Sequence, residues 1–193
     1  MLQQVLLYTI AALVVYSTVK DGIVGGNLRK SLAIVKRIRL QMVVQNLVVQ
    51  ALVVFIAIKL NTVPILGWGW WQLLDSSTGA GGQNMIIAPT TIPYVGSLFL
   101  LILIFALPRF AEIEEEIFRR GTPNWKSGFI RSVVFGLIHC TAGVSIGIGL
   151  ALSVAGLWFT YQYFKGGVKR STAYHAAWNL SIITLFAVFL LTA

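Results

Sequence analysis

The sequence predicts an all-α fold, a polytopic helical membrane protein of about six transmembrane helices, and three observations carry that expectation. Of 193 residues, 57% are apolar and 11% charged, against about 25% charged in an ordinary soluble domain, and the mean hydropathy is +0.81. The apolar residues gather in runs near twenty long. At ~1.5 Å of rise per residue, such a run crosses ~30 Å of hydrocarbon as a helix. Finally, fourteen of the fifteen bases fall in alternate connections between the runs, which is the positive-inside pattern of a chain threaded back and forth through a bilayer.

Six spans are expected, at residues 2–19, 41–58, 92–107, 128–141, 143–164 and 173–191, forming one membrane domain over 1–193. The first has no basic region before it and no Ala-x-Ala site after it, so it reads as a span rather than a cleaved signal. Lys20, Arg29, Lys30, Lys36, Arg37 and Arg39 follow it. Here a short interfacial helix is expected from Asn27, with Asn27 as N-cap and Leu32, Ile34, Val35 and Ile38 set among the bases. Anionic lipid headgroups are its natural partner.

The connection at 61–91 carries Trp68, Trp70 and Trp71 beside Gly and Ser and reads as a non-cytoplasmic loop with interfacial anchors. Arg109, Arg119, Arg120, Lys126 and Arg131 flank the third and fourth spans. The fourth is short for a full crossing and is expected to be tilted, extended from Asn124, or buried among its neighbours. In the fifth, Gly143, Gly147, Ala151 and Ala155 recur every four residues, a smooth stripe for close helix contact. Lys165, Lys169 and Arg170 separate the last two spans, and only Lys59 falls on the opposite side.

Both termini are therefore expected outside the cytoplasm, in the plasma membrane of a prokaryote or an organelle membrane. The net charge of +9 labels orientation, and no nucleic-acid partner is expected. With Cys140 as the single cysteine, an internal disulfide and a cysteine-based metal cluster are excluded. The lack of an internal repeat disfavours an inverted-repeat transporter.

Ionisable residues inside or against a membrane are costly, at about 2.5–3.5 kcal/mol for a mid-membrane charge on insertion scales, so they mark candidate functional sites. Three clusters stand out. Glu112, Glu114, Glu115 and Glu116 precede Phe118, Arg119, Arg120 and Gly121 and hold four of the six acids in the chain; helical spacing pairs Glu115 with Arg119 and Glu116 with Arg120. Phe135 and His139 share one helix face at i,i+4, as do His175 and Asn179. Taken singly, these clusters read as a solvated charge cluster, a structural histidine and interhelical polar contact. The chain has only two histidines, and both lie near the membrane side of the glutamates.

A Glu-Glu-x-x-x-Arg segment, then Phe-x-x-x-His, then His-x-x-x-Asn resembles the CAAX prenyl protease and bacteriocin-processing family of intramembrane glutamic endopeptidases. The likeness covers about residues 112–181, including the run at 156–165 before the last motif. The glutamate motif fits in two registers: Glu114, Glu115 and Arg119, which places Phe118 before the arginine, or Glu115, Glu116 and Arg120, which keeps Gly121 after it. The first is preferred. Members of the family often carry two further spans, so this chain looks like a near-minimal version.

The resemblance implies a conical intramembrane site between the last four spans and a substrate peptide or lipidated tail presented from the cytoplasmic leaflet. It assigns the water-activating base to Glu114, with His139 positioning the water, a structural ion pair to Glu115 and Arg119, and oxyanion donors to His175 and Asn179. No cofactor is implied. Two His and one Glu would also serve a catalytic zinc, although no His-Glu-x-x-His helix is present. Cys140 adjoins His139 but points ~100° away on a helix, which favours a small core residue over a nucleophile. Competing readings are a non-catalytic member of the same fold, acting as a membrane assembly factor, immunity protein or subunit of a larger membrane complex, and proton-coupled transport through the Glu and His residues.

Overall fold

A computed structural model describes residues 2–70 and 95–192, and every regular element among them is helical. Part of the loop at 61–91, including Trp71, and the start of the third expected span lie outside the described residues. The elements are α1 (Leu2–Gly22), α2 (Asn27–Val35), α3 (Leu40–Asn61), α4 (Val95–Phe118), α5 (Trp125–Ile138), a 3-10 turn (His139–Ala142) and α6 (Ile146–Thr192).

One of these helices, α3, is long and apolar enough to cross a membrane by length and composition. Its 22 residues carry a single charge, Lys59, in the last turn. Leu47, Val48, Leu52, Val54, Phe55 and Ile58 are exposed along it. The opposite face is partly polar: Asn46 and Gln50 are buried there with Val53, at i, i+4 and i+7, the spacing that puts residues on one helix face.

The short helix expected from Asn27 forms as α2, but its cap differs. Gly26 occupies the N-cap position at φ 81 and Asn27 is the first helical residue, with no side-chain cap. Ile34 turns inward onto Ala111 and Ala176, with Ile38 packed beside them, whereas Leu32 and Val35 stay exposed. The helix is therefore held against α4 and α6 by part of the apolar set expected to face lipid.

α4 runs through Pro108 and carries the glutamates in its last turns. It ends where Gly121 adopts φ 71, a left-handed conformation that costs glycine little. α5 starts at an Asn124 N-cap whose side chain accepts from the Ser127 N–H at 2.9 Å. The fourth expected span thus begins earlier than 128, and its helix gives way to a 3-10 turn from His139.

The fifth and sixth expected spans are joined more tightly than the sequence indicates. Helical backbone geometry runs through 146–192 except at Gly166 and Gly167. Phe159 nevertheless stacks on His175 with ring centroids 4.4 Å apart and meets Trp178 at 5.6 Å. A straight helix would separate residues 159 and 175 by ~24 Å, so α6 is a hairpin of two antiparallel legs reversed at 166–167. Gly167 sits at φ 70, ψ −173, a region open essentially to glycine alone.

α5 lies against the first leg of α6 through small residues. A Cβ added at Gly136 would come within 2.2 Å of the Gly149 carbonyl, and one at Gly156 within 3.0 Å of Ser132. This contact uses Gly128, Ser132 and Gly136 on α5. Of the stripe expected on the fifth span, Gly143 precedes the helix. Gly147 faces Asn61 and Leu66, and Ala151 and Ala155 enter the core with Phe118, Phe135, Phe159, Tyr174 and Trp178.

The two ends of the bundle differ in character. At one, Lys36, Arg37 and Arg39 meet Lys169 and Arg170, and Arg131 donates to the Arg120 carbonyl at 3.0 Å. At the other, the Gly147 N–H donates to Leu66 O at 2.6 Å and the Ile146 N–H to Trp68 O at 3.1 Å. There Ser145 donates to Asn61 at 2.6 Å, and Trp70 Nε1 donates to the Cys140 carbonyl at 3.0 Å. Trp70 is thus tied to the chain itself, while Trp68 stays 41% exposed.

Candidate functional site

The last turns of α4 and the second leg of α6 bring the acids of the first cluster to His175. Glu115 and Arg119 share a face one helical turn apart and are both fully enclosed, with Arg119 Nε 3.7 Å from Glu115 Oε2. Arg119 Nη2 donates to the Gly156 carbonyl at 3.0 Å. Its guanidinium lies 4.3 Å above the Phe135 ring and 5.7 Å from those of Phe118 and Phe159. A cation stripped of water is thereby offset by one carboxylate, one carbonyl and three aromatic faces.

His175, 2% exposed, stands between two carboxylates. Its Nδ1 is 2.9 Å from Glu115 Oε1, and its Nε2 is 3.4 Å from Glu114 Oε2. Beside the Arg119 cation Glu115 acts as an acceptor, so Nδ1 carries a hydrogen. Nε2 then faces Glu114 across a gap longer than a good hydrogen bond. Glu114, with its side chain 33% exposed, is the member of the pair that reaches open space.

Glu112 and Glu116 turn elsewhere. Glu112 pairs with Arg109. Glu116 pairs with Arg120, whose Nη2 donates at 2.6 Å, and this bond raises the guanidinium pKa above its ordinary value. The alternative register, Glu116 with Arg120, therefore corresponds to an exposed ion pair. Gly121 ends the helix irrespective of register.

His139 stands one turn beyond Phe135, in the 3-10 turn. Its Nδ1 lies 2.7 Å from the Phe135 carbonyl. A carbonyl only accepts, so Nδ1 holds the hydrogen and Nε2 is left as a base when the ring is neutral. Phe135 is the common neighbour of both histidines, with ring centroids 4.9 Å from His139 and 5.4 Å from His175. Asn179 is half-buried one turn after His175. Among the described residues no group of three His, Cys, Asp and Glu side chains is placed to hold a metal ion.

The polar face of α3, which the sequence reading passes over, braces the His175 leg. Asn46, fully buried, donates to the Tyr174 carbonyl at 2.7 Å and accepts from Trp158 Nε1 at 2.9 Å. Gln50 donates to the Trp178 carbonyl at 3.0 Å and to Ser181 Oγ at 2.7 Å. Gln45 accepts from the Tyr174 hydroxyl at 2.8 Å. These bonds grip the turn that carries His175 and Asn179. The signal was present in the sequence: four amides, Gln41, Gln45, Asn46 and Gln50, inside an otherwise apolar span. No family model, curated protein or solved structure matches this chain.

Proposed function

We propose that this chain is a six-span integral membrane protein of the CAAX prenyl protease and bacteriocin-processing kind, acting as an intramembrane endopeptidase with both termini outside the cytoplasm. Support for the spans comes from six helical segments, namely α1, α3, α4, α5 and the two legs of α6, of which α3 is long and apolar enough to cross a membrane, and from the bases gathered at one end. Support for the chemistry rests on one observation above all: a histidine poised between Glu114 and the enclosed Glu115–Arg119 pair.

In this reading Glu114 takes a proton from water while the water oxygen bonds to the scissile carbonyl carbon. The same proton later passes to the departing amine nitrogen as the C–N bond breaks. His139 Nε2 accepts from the attacking water and orients it. His175, carrying a hydrogen on both ring nitrogens in this role, donates from Nε2 to the developing oxyanion together with Asn179, and the Glu115–Arg119 pair fixes the position of the last turn of α4. The substrate is a membrane-proximal or lipidated peptide entering from the cytoplasmic leaflet.

Comparison of the membrane peptidome of cells carrying wild type, Glu114→Gln or His139→Ala tests the reading. Loss of a general base is expected to slow cleavage about 10²–10⁴-fold with the protein still inserted at normal levels. Unchanged cleavage in both variants would overturn it. One equivalent of zinc, lost on chelation together with activity, would overturn the metal-free route specifically. A second reading, a non-catalytic membrane subunit, draws on the near-complete burial of His175, since an enclosed carboxylate–histidine network is also a packing device; full phenotypic rescue by both variants would favour it.

A further inference from the structure

The basic end of the bundle holds a cavity of about 700 Å³ lined by Lys36, Arg37, Arg39, Met42, Gly166, Lys169, Arg170 and Ala173. Five of the eight lining residues are cationic and none is acidic. The ion pairs among the described residues use Arg109, Arg119, Arg120 and His175, and none involves these five bases. Arg170 is oriented by neutral partners alone: its Nε donates to the buried Gln162 at 2.9 Å, and its guanidinium lies 5.3 Å over the Tyr174 ring. The guanidinium is thus held in place with its charge uncompensated.

Lys169 and Arg170 also begin the second leg of α6, immediately after the reversal at Gly166 and Gly167. A helix start carries partial positive charge and free N–H donors, so cations there repel it, whereas an anion is stabilised. Met42 lies in the first turn of α3, the helix apolar enough to cross a membrane. The cavity therefore opens beside the first turn of that helix, and Leu40 and Val44 stand exposed on the adjoining turns, 79% and 52% accessible.

We propose that this cavity binds the phosphate of an anionic lipid headgroup, which clamps the α2–α3 connection to the reversal of α6. The five bases supply the charge, the start of the second leg adds the positive end of its dipole, and Leu40 and Val44 lie along an acyl chain. The proposal rests on the membrane reading above and not on proteolysis; retention of the chain in carbonate-washed membranes tests that reading separately.

The experiment follows the thermal midpoint of the full chain in detergent micelles during titration with dioctanoyl phosphatidylglycerol, dioctanoyl phosphatidylcholine or inorganic phosphate. The expected result is a saturable rise with phosphatidylglycerol that weakens with added salt, and none with phosphatidylcholine. Lys36→Gln and Lys169→Gln are each expected to weaken that binding about fivefold, while Lys30→Gln, outside the cavity, leaves it within about twofold. Lipid-free midpoints of the variants report folding independently, and the salt dependence of wild type needs no variant. Equal protection by phosphatidylcholine, or equal loss in Lys30→Gln, overturns the site. Equal protection by inorganic phosphate at the same concentration overturns the lipid as its source.

Discussion

Two glutamate–arginine pairs of identical spacing stand one residue apart on the same helix. Glu115 and Arg119 are fully enclosed, whereas the side chains of Glu116 and Arg120 are 36% and 68% exposed. One residue of offset turns a helix by ~100°, and that rotation decides which pair meets His175, Phe135 and the Gly156 carbonyl and which meets solvent. The inner pair must be matched by partners on three elements because its desolvation is expensive. The outer pair has water as its partner and is screened by salt. Identical motifs thus carry opposite physical content, and only the inner one can hold a neighbouring histidine in place.

The most severe way to test this contrast is Arg119→Leu, which leaves Glu115 buried and uncompensated. A loss of about 3–5 kcal/mol in unfolding free energy is expected, measured by thermal or denaturant unfolding in micelles. The double change Glu115→Leu with Arg119→Leu should recover part of it; a single-site cost no larger than that of Arg120→Leu would erase the distinction between the two pairs.

A smaller effect is expected from the opposite side of His175. Asn46→Leu removes the donor to the Tyr174 carbonyl and leaves Trp158 Nε1 without its acceptor, at a cost of about 1–3 kcal/mol. A change in protease sensitivity confined to the second leg of α6 would locate that cost at the brace, and wild-type stability would show that α3 holds the leg by apolar contact alone. The smallest effect belongs to Arg120→Gln or Glu116→Gln, for which the thermal midpoint is expected to stay within measurement scatter. Any residual shift should vanish at ~1 M salt.

Helical periodicity made much of the site legible in advance. Glu115 with Arg119 and Phe135 with His139 each follow from i,i+4 spacing, and both contacts form within one stretch of chain. What spacing does not encode is the partner on another element. That His175 sits between Glu114 and Glu115, or that Asn46 reaches Tyr174, depends on how α3, α4 and α6 pack. Which of the two glutamate–arginine pairs is enclosed likewise depends on which face of α4 turns inward. Small residues misled in a related way: the stripe at Gly147, Ala151 and Ala155 is buried as read, yet the close approach of α5 to the first leg of α6 uses Gly136 and Gly156. The tight reversal escaped the reading because Lys165, Lys169 and Arg170 look like a loop, while Gly166 and Gly167 alone make the turn.

That reversal has a mechanical consequence. Two residues leave no slack between the legs of α6, so the rotational phase of the second leg is geared to the first. A single residue inserted between Gly167 and Val168 would advance every later side chain by ~100°, carrying His175 off the Phe159 ring and away from both glutamates without altering any residue of the site. The angular setting of the histidine is written in the length of a turn that touches neither carboxylate.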